Sequence, residues 1–405
     1  MADTLSPRIL LIESPEDAAR EMRAIGVSDG GVRVMAGKAQ TLAVKVLGVG
    51  IPTAHILKEQ MLSLGGETAV PAGVLTHDID TADVLIFGTR NQLSELARKL
   101  SHQLFSLPKL GERIAALLQS LDEGDRGVLR ARHYEFDLRA RVHVMGVLNI
   151  TPDSFSDGGV YLRPSAALER ALAMVEEGAD IIDVGGMSSR PGAKEKAEAE
   201  EIERTAPVVE RLHEEWGGPI SIDTYRSAVA EEAFKAGASI LNDITGLRAE
   251  EGCAPVAARY EAACVLMHMQ GTPRTMQRDP HYGDLMGEIA GFLAGAIGRA
   301  QAAGIGKGRV AIDPGIGFGK TTEQNLEILR RLPELEALGM PILVGPSRKS
   351  FIGKVLDLPV DDRLEGTLAT VAYAVAQGAR LLRVHDVRPV VRVSRMVEAC
   401  LSSGR

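Results

Sequence analysis

Asp223, Asn242, Asp313 and Lys349 each stand at or just beyond the end of a short apolar segment, and together they could read a flat heterocycle. Carboxylates accept from ring amine and N–H groups, an amide both donates and accepts, and an ammonium donates to a ring carbonyl. A second set, Asn149, Ser189, Arg190, Arg383 and His385, suits a phosphate. It offers two guanidinium forks, a hydroxyl, a donor-capable imidazole and an amide oxygen available to a metal. The two sets describe a site for a heterocycle that carries phosphate.

The elements that would position these groups alternate regularly. Apolar, strand-like segments lie at 142–150, 180–185, 219–224, 238–244, 263–269, 309–315, 341–347 and 379–386. Helical patterns fall between them at 166–177, 198–216, 227–236, 285–303 and 364–377. Eight such alternations predict an α/β fold of the (β/α)8 TIM barrel type over residues 131–405. In that architecture the C-terminal strand ends share one rim, so the polar residues at those ends converge there. Residues 1–130 predict a small α/β N-terminal domain, with strands at 8–12, 41–47 and 81–87 and helices at 15–24, 52–64, 91–104 and 111–121. The polar run Leu121–Gly127 reads as the linker.

Composition narrows the function classes. The chain has 405 residues, 45% hydrophobic and 25% charged, enough for a large buried core. A net charge of −8 argues against a broad nucleic-acid surface, so an anionic substrate must be met by locally clustered Arg and Lys. No apolar run is long enough for a membrane span and no signal pattern opens the chain, which predicts a cytoplasmic protein. Cys253, Cys264 and Cys400 have neither metal-ligand spacing nor an even count for a disulfide framework.

Some motifs fail on inspection. Gly48-Val49-Gly50 lacks the third glycine of a dinucleotide turn. Pro314–Thr321 resembles a phosphate-binding loop, but Pro314 occupies the position of its first glycine, so its glycines are read as a tight turn or a close backbone approach to a bound ring. Asp183 and Asp243 lie inside apolar segments and are read equally as site residues or as buried structural hydrogen-bonders. His268, between Met267 and Met269, is read as a core histidine.

As a set the motifs resemble the dihydropteroate synthase family. Met145–Asn149 with Thr151–Gly159 resembles its first loop, and Ser188–Ala193 its second. Ile222-Asp223-Thr224, Leu241-Asn242-Asp243, Met267–Gly271, Asp313-Pro314-Gly315, Ser347–Ser350 and Arg383–Asp386 follow in the family's order. The resemblance implies condensation of 6-hydroxymethyl-7,8-dihydropterin pyrophosphate with p-aminobenzoate. It places the pterin on Asp223, Asn242, Asp313 and Lys349, and pyrophosphate on Asn149, Ser189, Arg190, Arg383 and His385. Mg²⁺ would be bound through Asn149. Phe155, Asp157, Ser189, Pro191 and Ser350 would hold p-aminobenzoate. Catalysis would rest on Asp223, Asp313, Lys349 and Arg383. A homodimer through the barrel's helices follows by the same analogy.

Two departures stand out. Met187 takes a position where the family usually has Glu, and Ser189 one where it often has Thr. Ser189 keeps the hydroxyl, whereas Met187 removes a carboxylate from the second loop. The competing readings are a pterin-binding methyltransferase barrel and a non-catalytic pterin-binding regulator. The first would not need Arg190, Arg383 and Phe155, and the second would be expected to lose part of the phosphate set.

Overall fold

The computed structural model describes residues 8–12, 14–104, 106–121, 127–150, 164–187 and 197–403. The chain divides into two compact units, one reaching Asp122 and one spanning Glu123–Gly404.

In the first unit, strands β1 (Thr41–Gly50), β2 (Glu67–Ala69) and β3 (Thr81–Thr89) form an antiparallel sheet in the order β1-β3-β2. Alternation in β3 sends Ala82, Val84 and Ile86 to one face, where they meet Leu57 and Met61 of helix Ile51–Ser63 and Leu93 and Leu96 of helix Arg90–Leu100. Thr89 starts the latter helix with a capping box, its hydroxyl accepting from Gln92 N while the Gln92 side chain accepts from Thr89 N. Gly48-Val49-Gly50 lies at the end of β1, where the register with β3 shifts between Val46 and Val49. The expected strand at 8–12 does not form. Ile9 and Leu11 are 99% and 80% exposed, because no neighbouring strand supplies a ladder for them.

The second unit begins with a hairpin that sequence patterning did not reveal. Strand β4 (Val128–Ala131) pairs antiparallel with β5 (Tyr134–Asp137). Strands too short to show a full alternation leave little signal. Then come β6 (His143–Asn149), β7 (Ile181–Gly185), β8 (Ile220–Asp223), β9 (Ile240–Asp243), β10 (Ala263–Met267), β11 (Val310–Asp313), β12 (Leu343–Val344) and β13 (Leu381–Val384). They form one parallel sheet in the order β11-β10-β9-β8-β7-β6-β13-β12. A single parallel bridge between Ile312 and Ile342 joins its ends and completes the barrel. All eight expected barrel strands are present, each one to five residues shorter than its apolar run.

Helices follow the strands and bury Val208, Val209, Leu212, Ile289, Leu293, Val371 and Val390 against the barrel's outside. The barrel interior is filled separately. Leu129, Ala131, Phe136 and Leu138 from the hairpin region join Met145, Ile181, Ile240, Ala263, Val265, Ala311, Leu343 and Leu381 in one cluster. The hairpin therefore plugs the barrel at the end opposite the strand C-termini. Arg132 extends this anchoring by donating to the carbonyls of Phe234 and Ala238 at 3.1 and 3.0 Å.

At the same end, Asp180 accepts from Arg141 at 2.9 Å and from the Val144 amide at 2.8 Å, with the His143 ring 3.6 Å away. Burial opposes its ionisation, but His143, Arg141 and the Val144 amide outweigh it and bring Asp180 from 3.8 down to about 2.

Two measurements check this end of the barrel. Phe136→Ala removes a plug residue that is 5% exposed, and denaturant unfolding should show a loss of about 3–5 kcal/mol. Asp180 is depressed in the folded state, so its contribution is complete above the unfolded value near 4 and is lost as pH falls toward 2. Asp180→Asn should therefore cost about 2 kcal/mol at pH 7 and almost nothing at pH 2.

Candidate active site

Strand register sets the layer at the open rim. Asn149 of β6 lies beside Gly185 of β7, Gly185 beside Asp223 of β8, and Asp223 beside Asn242 of β9. Four neighbouring strands thus bring Asn149, Gly185, Asp223 and Asn242 to one level, the first three ending their strands and Asn242 standing one residue short of its end. Gly185 leaves the space between two of them open: a Cβ there would sit 3.4 Å from Asn149 Oδ1 and 3.6 Å from the Asp223 Cβ.

Arg383, on β13, reaches past β6 to the two strands beyond. Its Nε donates to Asp183 Oδ2 at 2.6 Å and its Nη2 to Asp223 Oδ2 at 2.6 Å. Asn242 Nδ2 also donates to Asp183 Oδ2, at 3.1 Å. Asp183 is fully buried, and its Oδ1 has no hydrogen-bond partner among the described residues. Asp183 is thus the common partner of Arg383 and Asn242. Sequence reading left its role open because an aspartate within an apolar strand is ambiguous until its partners are known.

Burial lowers the affinity of Arg383 for its proton, but the carboxylates of Asp183 and Asp223 reverse this and raise it above the ordinary guanidinium value. Burial pushes Asp223 up to about 7 against the pull of Arg383, and the neighbouring Asp183 carboxylate adds to the rise. A carboxylate so poised responds strongly to whatever replaces or joins its cationic partner.

Asp313 ends β11 and is also buried, its Oδ1 accepting from the Gly315 amide at 2.7 Å. Burial raises its pKa, opposed by that amide and by Lys349. Lys349 caps the helix Ser350–Leu356, with its Nζ 4.0 Å from the centre of the Phe318 ring. Burial and Arg383 bring Lys349 down to about 8, despite Asp313 and Asp223. Ser350 stands next to it, exposed, as the first residue of that helix.

His385 Nδ1 lies 3.0 Å from Ser347 Oγ, which also accepts from the His385 amide at 3.2 Å. Burial, followed by Arg383, Arg348 and Lys349, brings His385 down to about 4, so it is a neutral ring at pH 7. Arg348, at φ +57°, is held by both oxygens of Asp386 at 3.0 and 2.6 Å.

The rim therefore brings together Asn149, Asp223, Asn242, Asp313, Lys349, Ser350, Arg383 and His385. Phe155, Asp157, Ser189, Arg190 and Pro191 lie outside the described residues. Asp243 is a structural residue, accepting from Thr245 N, Thr245 Oγ1 and Leu247 N at 2.7, 2.7 and 3.0 Å. Among the described residues, no group of three His, Cys, Asp or Glu side chains could hold a metal by itself.

The profile of the pterin binding enzyme family matches residues 145–385, which span every one of these strand ends from Asn149 to His385. The chain belongs to the dihydropteroate synthase family of pterin-binding enzymes. A dihydropteroate synthase of Synechocystis sp. is 49% identical over 265 residues, covering 65% of this chain and 92% of that protein. The solved structure of Xanthomonas albilineans dihydropteroate synthase with 4-aminobenzoic acid is 41% identical, with a TM-score of 0.64 over 68% of this chain and 99% of that one. A probable bifunctional folylpolyglutamate synthase/dihydropteroate synthase of Halobacterium salinarum is 39% identical over 388 residues. That match covers 96% of this chain, and so most of its first unit, but only 46% of the longer relative. The Synechocystis and Xanthomonas matches cover about two thirds of this chain, whose second unit is a (β/α)8 barrel, while the Halobacterium match extends over nearly all of it.

The Arg383 network can be tested in the unliganded protein. Arg383→Met leaves Asp183 and Asp223 buried without the cation that bonds both, and should cost about 3–5 kcal/mol at pH 8. Because the unopposed burial raises Asp223 further, protonation relieves the strain and the cost should shrink toward pH 5. Urea titrations of both proteins at the two pH values give the comparison.

Proposed function

We propose that the rim residues carry the dihydropteroate synthase reaction in the following roles. The buried network Arg383–Asp183–Asp223, set beside Asn242 and facing Asp313 and Lys349, is the observation that supports this assignment most strongly. It supplies acceptors for the amine and N–H edge of a pterin and, in Lys349, a donor for its carbonyl. A ring with the wrong donor pattern would leave these buried groups unpaired, which is the source of selectivity.

In the reaction, the bond between the pterin's exocyclic methylene carbon and the pyrophosphate oxygen breaks, and its electron pair leaves with pyrophosphate. The electron-rich ring carries the positive charge that develops on carbon, with the Asp223 and Asp313 carboxylates stabilising it. The neutral amine nitrogen of p-aminobenzoate then forms the new carbon–nitrogen bond and gives up one proton to solvent or to the departing phosphate. Arg383 offers guanidinium charge to the leaving group, and neutral His385 can donate through its second ring nitrogen. Ser189 and Arg190 extend the pyrophosphate side, and Phe155, Asp157, Ser189, Pro191 and Ser350 position p-aminobenzoate.

The hard oxygen of Asn149 fits Mg²⁺ as one ligand among several, with pyrophosphate oxygens completing the set. Bound there, the ion would neutralise charge on the leaving group. The same reading gives a cytoplasmic homodimer. Among the described residues no helix is long and apolar enough to cross a membrane, and Val355, Leu356, Tyr373 and Met396 expose apolar surface on the helices that follow Lys349 and β13.

Purified full-length protein given dihydropterin pyrophosphate and Mg²⁺ should release pyrophosphate only when p-aminobenzoate is present, and yield dihydropteroate. Asp313→Ala and Lys349→Ala should each weaken pterin binding by about 30- to 100-fold, the loss of one charge-assisted hydrogen bond. Unchanged pterin affinity in both variants would refute the pocket assignment.

A further inference from the structure

The glycine-rich stretch Pro314–Thr321 contains a lysine that the reaction does not use. Lys320 is 4% exposed, and its ammonium has three acceptors: Gly315 O at 3.0 Å, Phe318 O at 2.9 Å and His268 Nδ1 at 3.0 Å. Burial brings Lys320 from 10.5 down to about 7, against the pull of Asp313; in its protonated form the amine has three donors and no acceptor, so these contacts satisfy it completely and take a lone pair on His268 Nδ1. Burial, with Lys320 and Arg248, holds His268 down at about 2, which keeps that ring neutral. In a phosphate-binding loop the lysine reaches out to the ligand. Here it folds back and fastens its own loop from inside.

The loop can adopt this shape only with its glycines. Gly315, at φ +70°, passes so close to the His268 carbonyl that a Cβ would lie 2.0 Å from it. Gly317, at φ +82°, lies under Lys349, with space for a Cβ only 2.9 Å from the lysine's Cδ. Two further carbonyls are tied from outside, Gly317 O by Gln277 Nε2 at 2.8 Å and Gly319 O by the Tyr282 hydroxyl at 2.7 Å.

Both carbonyls held by Lys320 belong to residues that touch the pterin-reading groups. Gly315 donates its amide to Asp313, and Phe318 places its ring beneath the Lys349 ammonium. We propose that Lys320, seated against His268 Nδ1, is a positioning residue that sets Phe318 and hence the Lys349 side chain for recognition of the pterin carbonyl. This rests on the assignment of Asp313 and Lys349 to the pterin. Lys320 itself makes no contact with substrate. Its effect passes through the backbone of the loop and the face of an aromatic ring, where a cation is held by the ring's quadrupole.

The test is a double-mutant cycle on the full-length enzyme, reading the Kd of dihydropterin pyrophosphate and the KM of p-aminobenzoate, with thermal unfolding as a control. Lys320→Met should raise the pterin Kd at least tenfold and leave the p-aminobenzoate KM within about twofold. In a Lys349→Met background the same change should cost less than threefold, because the two lysines act in series. His268→Asn, which keeps an acceptor, should stay within threefold of the parent, and His268→Leu, which removes it, should weaken pterin binding about tenfold. This pair decides the matter if Lys320→Met is insoluble. Fully additive lysine effects, or equal pterin affinity in the two His268 variants, would overturn the proposal. Asp313→Ala and Lys349→Ala separate the two levels: if both bind pterin normally, the pocket assignment fails, whereas their loss of binding beside a normal Lys320→Met defeats only the positioning role.

Discussion

A guanidinium buried at the mouth of a barrel can be kept there only if carboxylates come with it, and that requirement organises the site. Arg383 is shared between Asp183 and Asp223, on two strands that are not its neighbours. Desolvating three charges is costly, and removing any one of them strands the others. The arrangement is therefore poorly explained as a source of stability. It is well suited to holding charge in readiness, since an arriving ring or phosphate meets groups already desolvated and oriented.

The same requirement explains where the sequence was legible. Parallel strands buried on both faces read as nearly continuous apolar runs, and all eight barrel strands were visible on that basis. Their polar residues in the last two strand positions, Asn149, Asp223, Asn242, Asp313 and Arg383, were visible because a charged or amide residue near the close of such a run has few structural uses. Asp183 was not separable from Asp243 by pattern. Each sits in an apolar strand, yet one bonds Arg383 and Asn242 while the other caps the turn at Thr245. Only the partners distinguish them. The plug hairpin at 128–137 was hidden for a different reason, being two strands of four residues each with little periodicity to show. The apolar run at 8–12 erred in the opposite direction, since its pattern is strand-like but no edge receives it.

Lys320 was hidden by likeness to something else. Its setting, glycines followed by Lys and Thr, invites comparison with phosphate loops, and rejecting that comparison left the lysine without a role. The structure shows why glycine and lysine occur together here: the glycines let the chain curl tightly enough to point two carbonyls inward, and those carbonyls then need a donor, which the Lys320 amine supplies. Loop shape and counter-charge are two sides of one constraint.

The barrel's seam carries a consequence of its own. Between β11 and β12 only the bridge from Ile312 to Ile342 closes the ring, and β12 is two residues long. Asp313 lies at one lip of that seam and Lys349 follows the other, so these two groups are linked across the sheet by the least backbone pairing among the described barrel strands. Their separation can widen or narrow without unzipping a ladder. The barrel is thus laced by continuous ladders from β6 to β10 and by a single bridge at the seam, like a vice with one jaw held at many points and the other at one.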